Sequence, residues 1–264
     1  MKKRIAGAIY PPLKWPGGKR WLIPHLVPIW RHHRDKRLVE PFCGGLAVSL
    51  GLMPRKALLN DINSHVINFY KWLQKGLTVE ENFKNNRAFY YKRREEFNSL
   101  IMNGLEHTKR AAELFYYLNR TGYNGLCRFN NSGQFNVPFG KYKSIHYTKD
   151  FSQYKLVFSK WTFIYGDFQR INLQPDDFIY ADPPYDVEFT KYSKQDFKWD
   201  DQERLAVWLS KHKGIVVLSN QATNRIISLY KTLGFTLRFL SAPRRISCNG
   251  DRMPTIELLA TRGI

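Results

Sequence analysis

Between residues 38 and 61 lie two short apolar runs, Leu38-Val39-Glu40 and Ala57-Leu58-Leu59-Asn60-Asp61, each ending in an acid. They are joined by Pro41-Phe42-Cys43-Gly44-Gly45 and a helical stretch over 46–52. Strands linked through a helical crossover pair in parallel, and a parallel sheet must be covered on both faces. The unit therefore predicts the α/β class, a Rossmann-like doubly wound sheet. Glycines in the first turn let the backbone approach a ligand, and Asp61 at the second strand's end is placed for ribose hydroxyls. Neither G-x-G-x-x-G nor G-x-x-x-x-G-K-[ST] occurs, which favours a nucleoside ligand over a dinucleotide. Taken alone, Gly44-Gly45 fits an ordinary tight turn equally well.

The strand signal returns at Thr162 to Asp167, Phe178 to Ala181 and Gly214 to Ser219, and in a closing pair at 235–240 and 255–260. Helical spacing covers 65–75, closed by Gly76, and 85–103, 108–119, 199–212 and 224–233. Asp200 and Glu203 have the spacing of a capping box. The stretch 76–148 is aromatic and basic, unlike the α/β rhythm around it. Its two helices are followed by Tyr123 to Phe129, the turn-forming Asn130-Asn131-Ser132-Gly133 and Gln134 to Val137, which read as a β-hairpin. The expected organisation is a sheet domain of 1–75 and 149–264 carrying a helical and hairpin insertion, 76–148.

The apolar run Phe178-Ile179-Tyr180-Ala181 leads directly into Asp182-Pro183-Pro184-Tyr185. Two prolines stop the strand, fix φ and remove backbone donors while leaving carbonyl acceptors. A carboxylate, a carbonyl and an aromatic face thus meet at one strand end. An amine on a flat heterocycle is a poor nucleophile because its lone pair is delocalised. Acceptors on both N–H bonds, from Asp182 and the Pro183 carbonyl, favour a pyramidal nitrogen, and Tyr185 stacks on the ring. The alternative is a plain strand-terminating turn.

Forty-two Lys and Arg against 22 Asp and Glu give a formal charge of +20, and aromatics make up 15% of the chain. Basic residues interleaved with stacking side chains fit a nucleic-acid partner better than a membrane. Denser patches fall at Lys2-Lys3-Arg4, Arg31 to Arg37, Lys92-Arg93-Arg94 and Arg244-Arg245. The run Arg31 to Arg37, taken alone, is a solvated face. Three scattered cysteines without a C-x-x-C pair predict a reduced protein with no metal site. The N-terminus lacks the apolar stretch of a signal peptide, and no run has membrane-spanning length, so a cytoplasmic monomer is expected.

Several blocks occur together and in order: Lys14 to Lys19 (KWPGGK), Glu40 to Gly45, Asp61-Ile62-Asn63, Leu118 to Arg128, Phe135 to Gly140, Asp182 to Tyr185 and Arg244 to Gly250. This combination, covering nearly the whole chain, resembles the DNA adenine-N6 methyltransferases of the Dam type. The resemblance implies S-adenosylmethionine as cofactor and double-stranded DNA as partner, with methyl transfer to adenine N6 in GATC. It assigns Trp15, Lys19, Gly44, Asp61 and Asp182 to the cofactor pocket, with Asp167 near the cofactor's adenine. Asp182, Pro183 and Tyr185 face the target base. In the insertion, which the resemblance makes a target-recognition domain, Tyr123 and Asn124 match positions that enter the duplex beside a flipped adenine. Leu126 and Arg128 match contacts to the outer base pairs, and Lys14 a contact to the first guanine.

Alternatives remain at this stage. Cytosine-N4 methyltransferases usually carry Ser in place of Asp182. Cytosine-C5 chemistry needs a nucleophilic cysteine, typically in a Pro-Cys pair, which is absent. A protein-glutamine methyltransferase would leave the basic insertion unexplained. A silent DNA-binding relative has no reason to keep the acids and tyrosine.

Overall fold

The computed structural model describes residues 9–185, 197–242 and 255–264. The basic patches at Lys2-Lys3-Arg4 and Arg244-Arg245, and the block Arg244 to Gly250, lie outside the described residues. Among the described residues, seven strands form one sheet: β1 (Leu38–Glu40), β2 (Ala57–Asp61), β3 (Trp161–Tyr165), β4 (Phe178–Ala181), β5 (Ile215–Gln221), β6 (Thr236–Ala242) and β7 (Thr255–Arg262). Their order is β3-β2-β1-β4-β5-β7-β6. The first five pair in parallel, and β7 runs antiparallel between β5 and β6. From β1 the chain winds outward through β2 to β3, then returns to β4 and winds the other way. Connections therefore diverge at the β1/β4 junction and leave a crevice at the carboxyl ends of these strands, where ligands of such sheets bind.

Eight helices complete the described chain: α1 (Ile23–Trp30), α2 (Ser49–Leu52), α3 (Ser64–Lys75), α4 (Arg87–Met102), α5 (Lys109–Thr121), α6 (Ser152–Phe158), α7 (Trp199–Ser210) and α8 (Asn224–Thr232). Alternate strand residues serve two cores, as the period of two requires. Leu38, Leu59, Phe178 and Tyr180 join Leu26, Phe69 and Tyr70 on one face. Val39, Leu58, Ile179 and Leu218 meet Leu205, Leu209 and Tyr230 on the other. Burying each such side chain contributes about 1.5–3 kcal/mol.

Local chemistry sets the helix ends. Asn63 caps α3, its side chain accepting from the His65 and Val66 amides at 3.0 and 3.3 Å, and Gly76 closes it at φ 88°. Asn86 and Thr108 cap α4 and α5 in the same way. The expected Asp200/Glu203 box does not form. Because Lys198 is the cap residue, Asp201 occupies the third position, and its carboxylate accepts the Lys198 amide at 3.0 Å. Among the described residues, no helix is long and apolar enough to cross a membrane.

Within 76–148, α5 packs against α3, α4 packs on α5, and both share the core of α3. Phe69 stacks on Tyr116 at 5.8 Å, and Phe151 meets both edge-on. The expected β-hairpin is present in irregular form: Phe129 bridges Phe135 and Gly122 bridges Phe139 in antiparallel fashion, and the Asn130 and Asn136 amides donate to the Gln134 and Arg128 carbonyls at 2.8 and 3.1 Å. A 3-10 turn, Tyr123–Gly125, precedes the Phe129 bridge, with Asn124 and Gly125 consecutively left-handed at φ 52° and 66°. Two such residues break an extended run. The Phe135 backbone is also bonded by the Asn98 side chain of α4, amide and carbonyl both, at 2.8 and 3.2 Å. The segment is an irregular hairpin moulded onto a helix.

Candidate active site

A cleft of about 810 Å³ opens at the carboxyl ends of β1, β2 and β4. Trp15, Lys19, Gly44, Asp61, Asp182 and Tyr185 all line it, as do Pro183 and Arg128. The parallel strands deliver Glu40, Asp61 and Asp182 to one rim. The segment before α1 brings Trp15 and Lys19 over from the other side.

The β1 loop is shaped by Trp15. A side-chain carbon on Gly44 would sit 2.6 Å from the Trp15 indole nitrogen, and one on Gly45 would sit 2.6 Å from the Trp15 Cβ. Gly44 also has φ +43°, a conformation other residues adopt only with strain. The Gly44 amide donates to Asp61 Oδ2 and the Asn63 amide to Oδ1, both at 2.9 Å. Burial raises the Asp61 pKa, and these two amides oppose the rise by stabilising the anion. An acid is thus held rigidly at the cleft edge with part of its accepting capacity spare.

Asp182 is organised from three directions. Lys19 Nζ lies 2.6 Å from Asp182 Oδ1, and the Ser219 hydroxyl donates to the same oxygen at 2.9 Å. Ser219 is itself paired with the Tyr180 hydroxyl at 2.9 Å. Both contacts fall on Oδ1, so Oδ2 has no partner among the described residues while the side chain is 20% exposed. Burial raises the Asp182 pKa against the opposing pull of Lys19 and Ser219. For Lys19, burial alone would lower the pKa, but the charges of Asp182, Tyr185 and Glu257 raise it above its ordinary value. Lys19 lies 3.2 Å from Glu257 and 4.7 Å from the centre of the Tyr185 ring. Its ammonium is thus engaged by two carboxylates. Gln202 donates to the Pro184 carbonyl at 2.8 Å, which leaves the Pro183 carbonyl as the acceptor of the pair without a described donor.

The residues expected to meet DNA lie mostly beside the cleft. Lys14, Tyr123, Asn124 and Leu126 are not in its lining, whereas Arg128 is. Tyr123 is 50% exposed at the tip of the turn, next to the exposed Asn124. Lys14 donates to the Arg120 carbonyl at 2.7 Å and sits 3.4 Å over the Tyr142 ring. Burial, with help from the Arg120 charge, lowers its pKa to about 8. Asn119 fixes the Lys14 backbone by accepting its amide and donating to its carbonyl, each at 2.8 Å. Arg128 is oriented by Asn136, its Nε donating at 2.8 Å.

Asp167 departs from the expectation. Its carboxylate is gripped by Arg204 at 2.9 and 2.8 Å, and it does not line the cleft. The 3-10 turn that starts at Phe168 uses Asp167 as its cap, turning the side chain toward α7. Sequence reasoning also left Glu40, Ser219 and Glu257 without a role. The signal for Glu40 and Glu257 was an acid inside an otherwise apolar strand, which is costly unless paired. Burial pushes Glu40 up to about 8, the Asp182 charge adds to the rise, and the Ser49 hydroxyl opposes it. Burial likewise pushes the Cys127 thiol to about 12, too high for a nucleophile. Among the described residues, no group of three His, Cys, Asp or Glu side chains could hold a metal ion.

A crevice at the switch point of a doubly wound sheet, with an amide-held acid on one strand and an acid, prolines and an aromatic ring on another, is where such sheets bind nucleotide-like ligands. The profile of the D12 class N6 adenine-specific DNA methyltransferases matches residues 15–242. The chain belongs to that family, which transfers a methyl group to adenine N6 of DNA and uses S-adenosylmethionine as the donor. Among its relatives, a DNA adenine methylase of Vibrio cholerae serotype O1 is 38% identical over 278 aligned positions, covering 94% of each protein. The retron Ec67 DNA adenine methylase of Escherichia coli is 36% identical, covering 95% of this chain and 90% of the relative. The DNA N-6-adenine-methyltransferase of Escherichia phage P1 is also 36% identical, but the chain spans only 33% of its length.

Proposed function

We propose that the chain methylates adenine N6 within duplex GATC, with Asp182 Oδ2 and the Pro183 carbonyl holding the target amine. The observation that carries this is the loading of both Lys19 and Ser219 onto Asp182 Oδ1, beside an unengaged Pro183 carbonyl. Two acceptors on the two N–H bonds favour a pyramidal nitrogen with its lone pair aimed into the cleft, while Tyr185 stacks on the ring. S-adenosylmethionine, when bound, supplies an electrophilic methyl group. The chemistry of the cleft fits it: Asp61 has accepting capacity for a ribose diol, and Trp15 over bare glycine backbone forms a flat wall. The nitrogen would take the methyl group as the donor's S–CH3 bond breaks and S-adenosylhomocysteine leaves; the resulting ammonium is strongly acidic, so its proton would pass to solvent without a dedicated base. Asp182 and Tyr185 stabilise the positive charge as it develops.

Residues 76–148 act as the target-recognition unit on a sheet domain formed by 1–75 and 149–264. Tyr123 and Asn124 enter the duplex and offset part of the few kcal/mol that extrusion of a base costs. Lys14 leaves the Arg120 carbonyl and the Tyr142 ring to meet the first guanine, and Leu126 and Arg128 meet the outer pairs. The protein acts as a monomer in the cytoplasm. The test is labelled-methyl transfer to duplexes containing GATC or each single-base variant, for the native protein and Arg128→Ala. A lost outer contact corresponds to about 1–3 kcal/mol, so variants should react about 5- to 150-fold more slowly, and Arg128→Ala should narrow that gap at one outer pair. Equal rates on GATC and its variants would reject the sequence assignment.

A further inference from the structure

Glu257 stands near the start of β7, opposite Gln221 of β5 and Leu240 of β6. It is 5% exposed, one of few buried acids in a chain of formal charge +20. Its Oε1 lies 3.2 Å from Lys19 Nζ and accepts no hydrogen bond of good geometry. Lys19 is therefore held on one side by Asp182 at 2.6 Å and on the other by Glu257, beneath the Tyr185 ring. A buried, imperfectly bonded carboxylate is costly unless the site needs its charge.

The need follows from the charges. Methylation places a positive charge on the amine beside Asp182. Lys19 orders Asp182 but also cancels its charge, and two opposite charges at 2.6 Å present little net field to a third group. A second carboxylate leaves the trio of Asp182, Lys19 and Glu257 net negative while Lys19 keeps its orienting contact. We infer that Glu257 is a positioning residue for methyl transfer: it anchors Lys19 beneath the Tyr185 ring and keeps the site negative where the nitrogen becomes positive. It acts through these neighbours and does not touch the base.

The inference rests on the assignment of Asp182 as the amine's acceptor, and the test separates the two. Glu257→Gln keeps the volume and removes the charge; Glu257→Asp keeps the charge and shortens the reach. Single-turnover rates, DNA KM, cofactor Kd by calorimetry and Tm are measured for both. Glu257→Gln should lower the methyl-transfer rate about 10- to 100-fold, the range of a modest preorganised electrostatic contribution, with cofactor Kd and DNA KM within about threefold of native. Glu257→Asp should recover part of that loss. Either variant decides the matter if the other fails to fold. A rate within twofold of native, or losses of rate that merely parallel losses of cofactor affinity and Tm, would overturn the role of Glu257. Full activity in Asp182→Asn would instead reject the acceptor reading and leave the measured effect of Glu257 standing.

Discussion

The cleft gathers acids that would repel one another in isolation, and each is handled differently. Asp61 is paid in backbone amides, Asp182 shares a lysine with Glu257, and Glu40 is left to a single serine hydroxyl. Burial, with the Asp182 charge behind it, lifts Glu40 to about 8, so its ionised form is disfavoured in the folded state. The folded protein then binds a proton at Glu40 that the unfolded chain releases from near pH 4.5 upward. Its contribution is full below that value and is lost as pH rises to about 8. Glu40→Gln, which stays neutral, should therefore be less pH-sensitive than native across this window. Its relative stability should rise with pH by on the order of a few kcal/mol, read by denaturant titration at pH 5, 6.5 and 8. An unchanged difference across those values would show that Glu40 titrates normally. Single residues were unevenly legible. Asp61, Asp182 and Tyr185 stand in short blocks at strand ends, Trp15 and Lys19 in the block before α1, and all five line one cleft. Ser219 and Glu257 act through partners more than 30 positions away, and Asp167 is claimed by Arg204. Sequence spacing carries neither kind of information.

At the scale of elements, the β1 loop is the most constrained piece of the site. Gly44→Ala would force a methyl to within 2.6 Å of the Trp15 indole from a residue already at φ +43°. It should displace Trp15, weaken cofactor binding by about 10-fold or more, and cost about 1–3 kcal/mol of stability. Calorimetric titration with S-adenosylmethionine and a thermal melt measure both; native affinity in Gly44→Ala would mean that Trp15 is not part of the pocket. The strands were readable because each is a short apolar run with punctuation, and all seven appear near their expected places. Helix α1 was not, since Pro24 and Pro28 obscure its period, and α6 is only seven residues long. The loop after α5 misled for another reason. Its two arms do pair, through the Phe129–Phe135 and Gly122–Phe139 bridges, but Phe129 packs on His65 at 4.8 Å and Phe135 is tied to Asn98, so tertiary contacts interrupt the regular ladder that the sequence suggests.

Over the whole molecule, a formal charge of +20 surrounds a cleft whose innermost groups are carboxylates. The two features answer different needs. The distributed positive charge suits a polyanion without reading its sequence, while on the proposed reading the acids act on a base once it is out of the stack. Charge composition alone announced the first, and the ordered blocks from Lys14 to Tyr185 announced the second. The packing of α4 and α5 into the same core as α3 was not foreseen, because helical period reveals which face is apolar and not what covers it. The most direct test of the central claim joins the reaction to the residue. Native protein and Asp182→Asn are each incubated with labelled S-adenosylmethionine and GATC duplex, the DNA is digested to nucleosides, and duplex affinity is measured in parallel. The account predicts N6-methyladenine as the labelled product of the native protein, and about a 1,000-fold or greater loss of rate in Asp182→Asn with duplex affinity within a few-fold of native. Label on cytosine, or an Asp182→Asn rate near native, would contradict it.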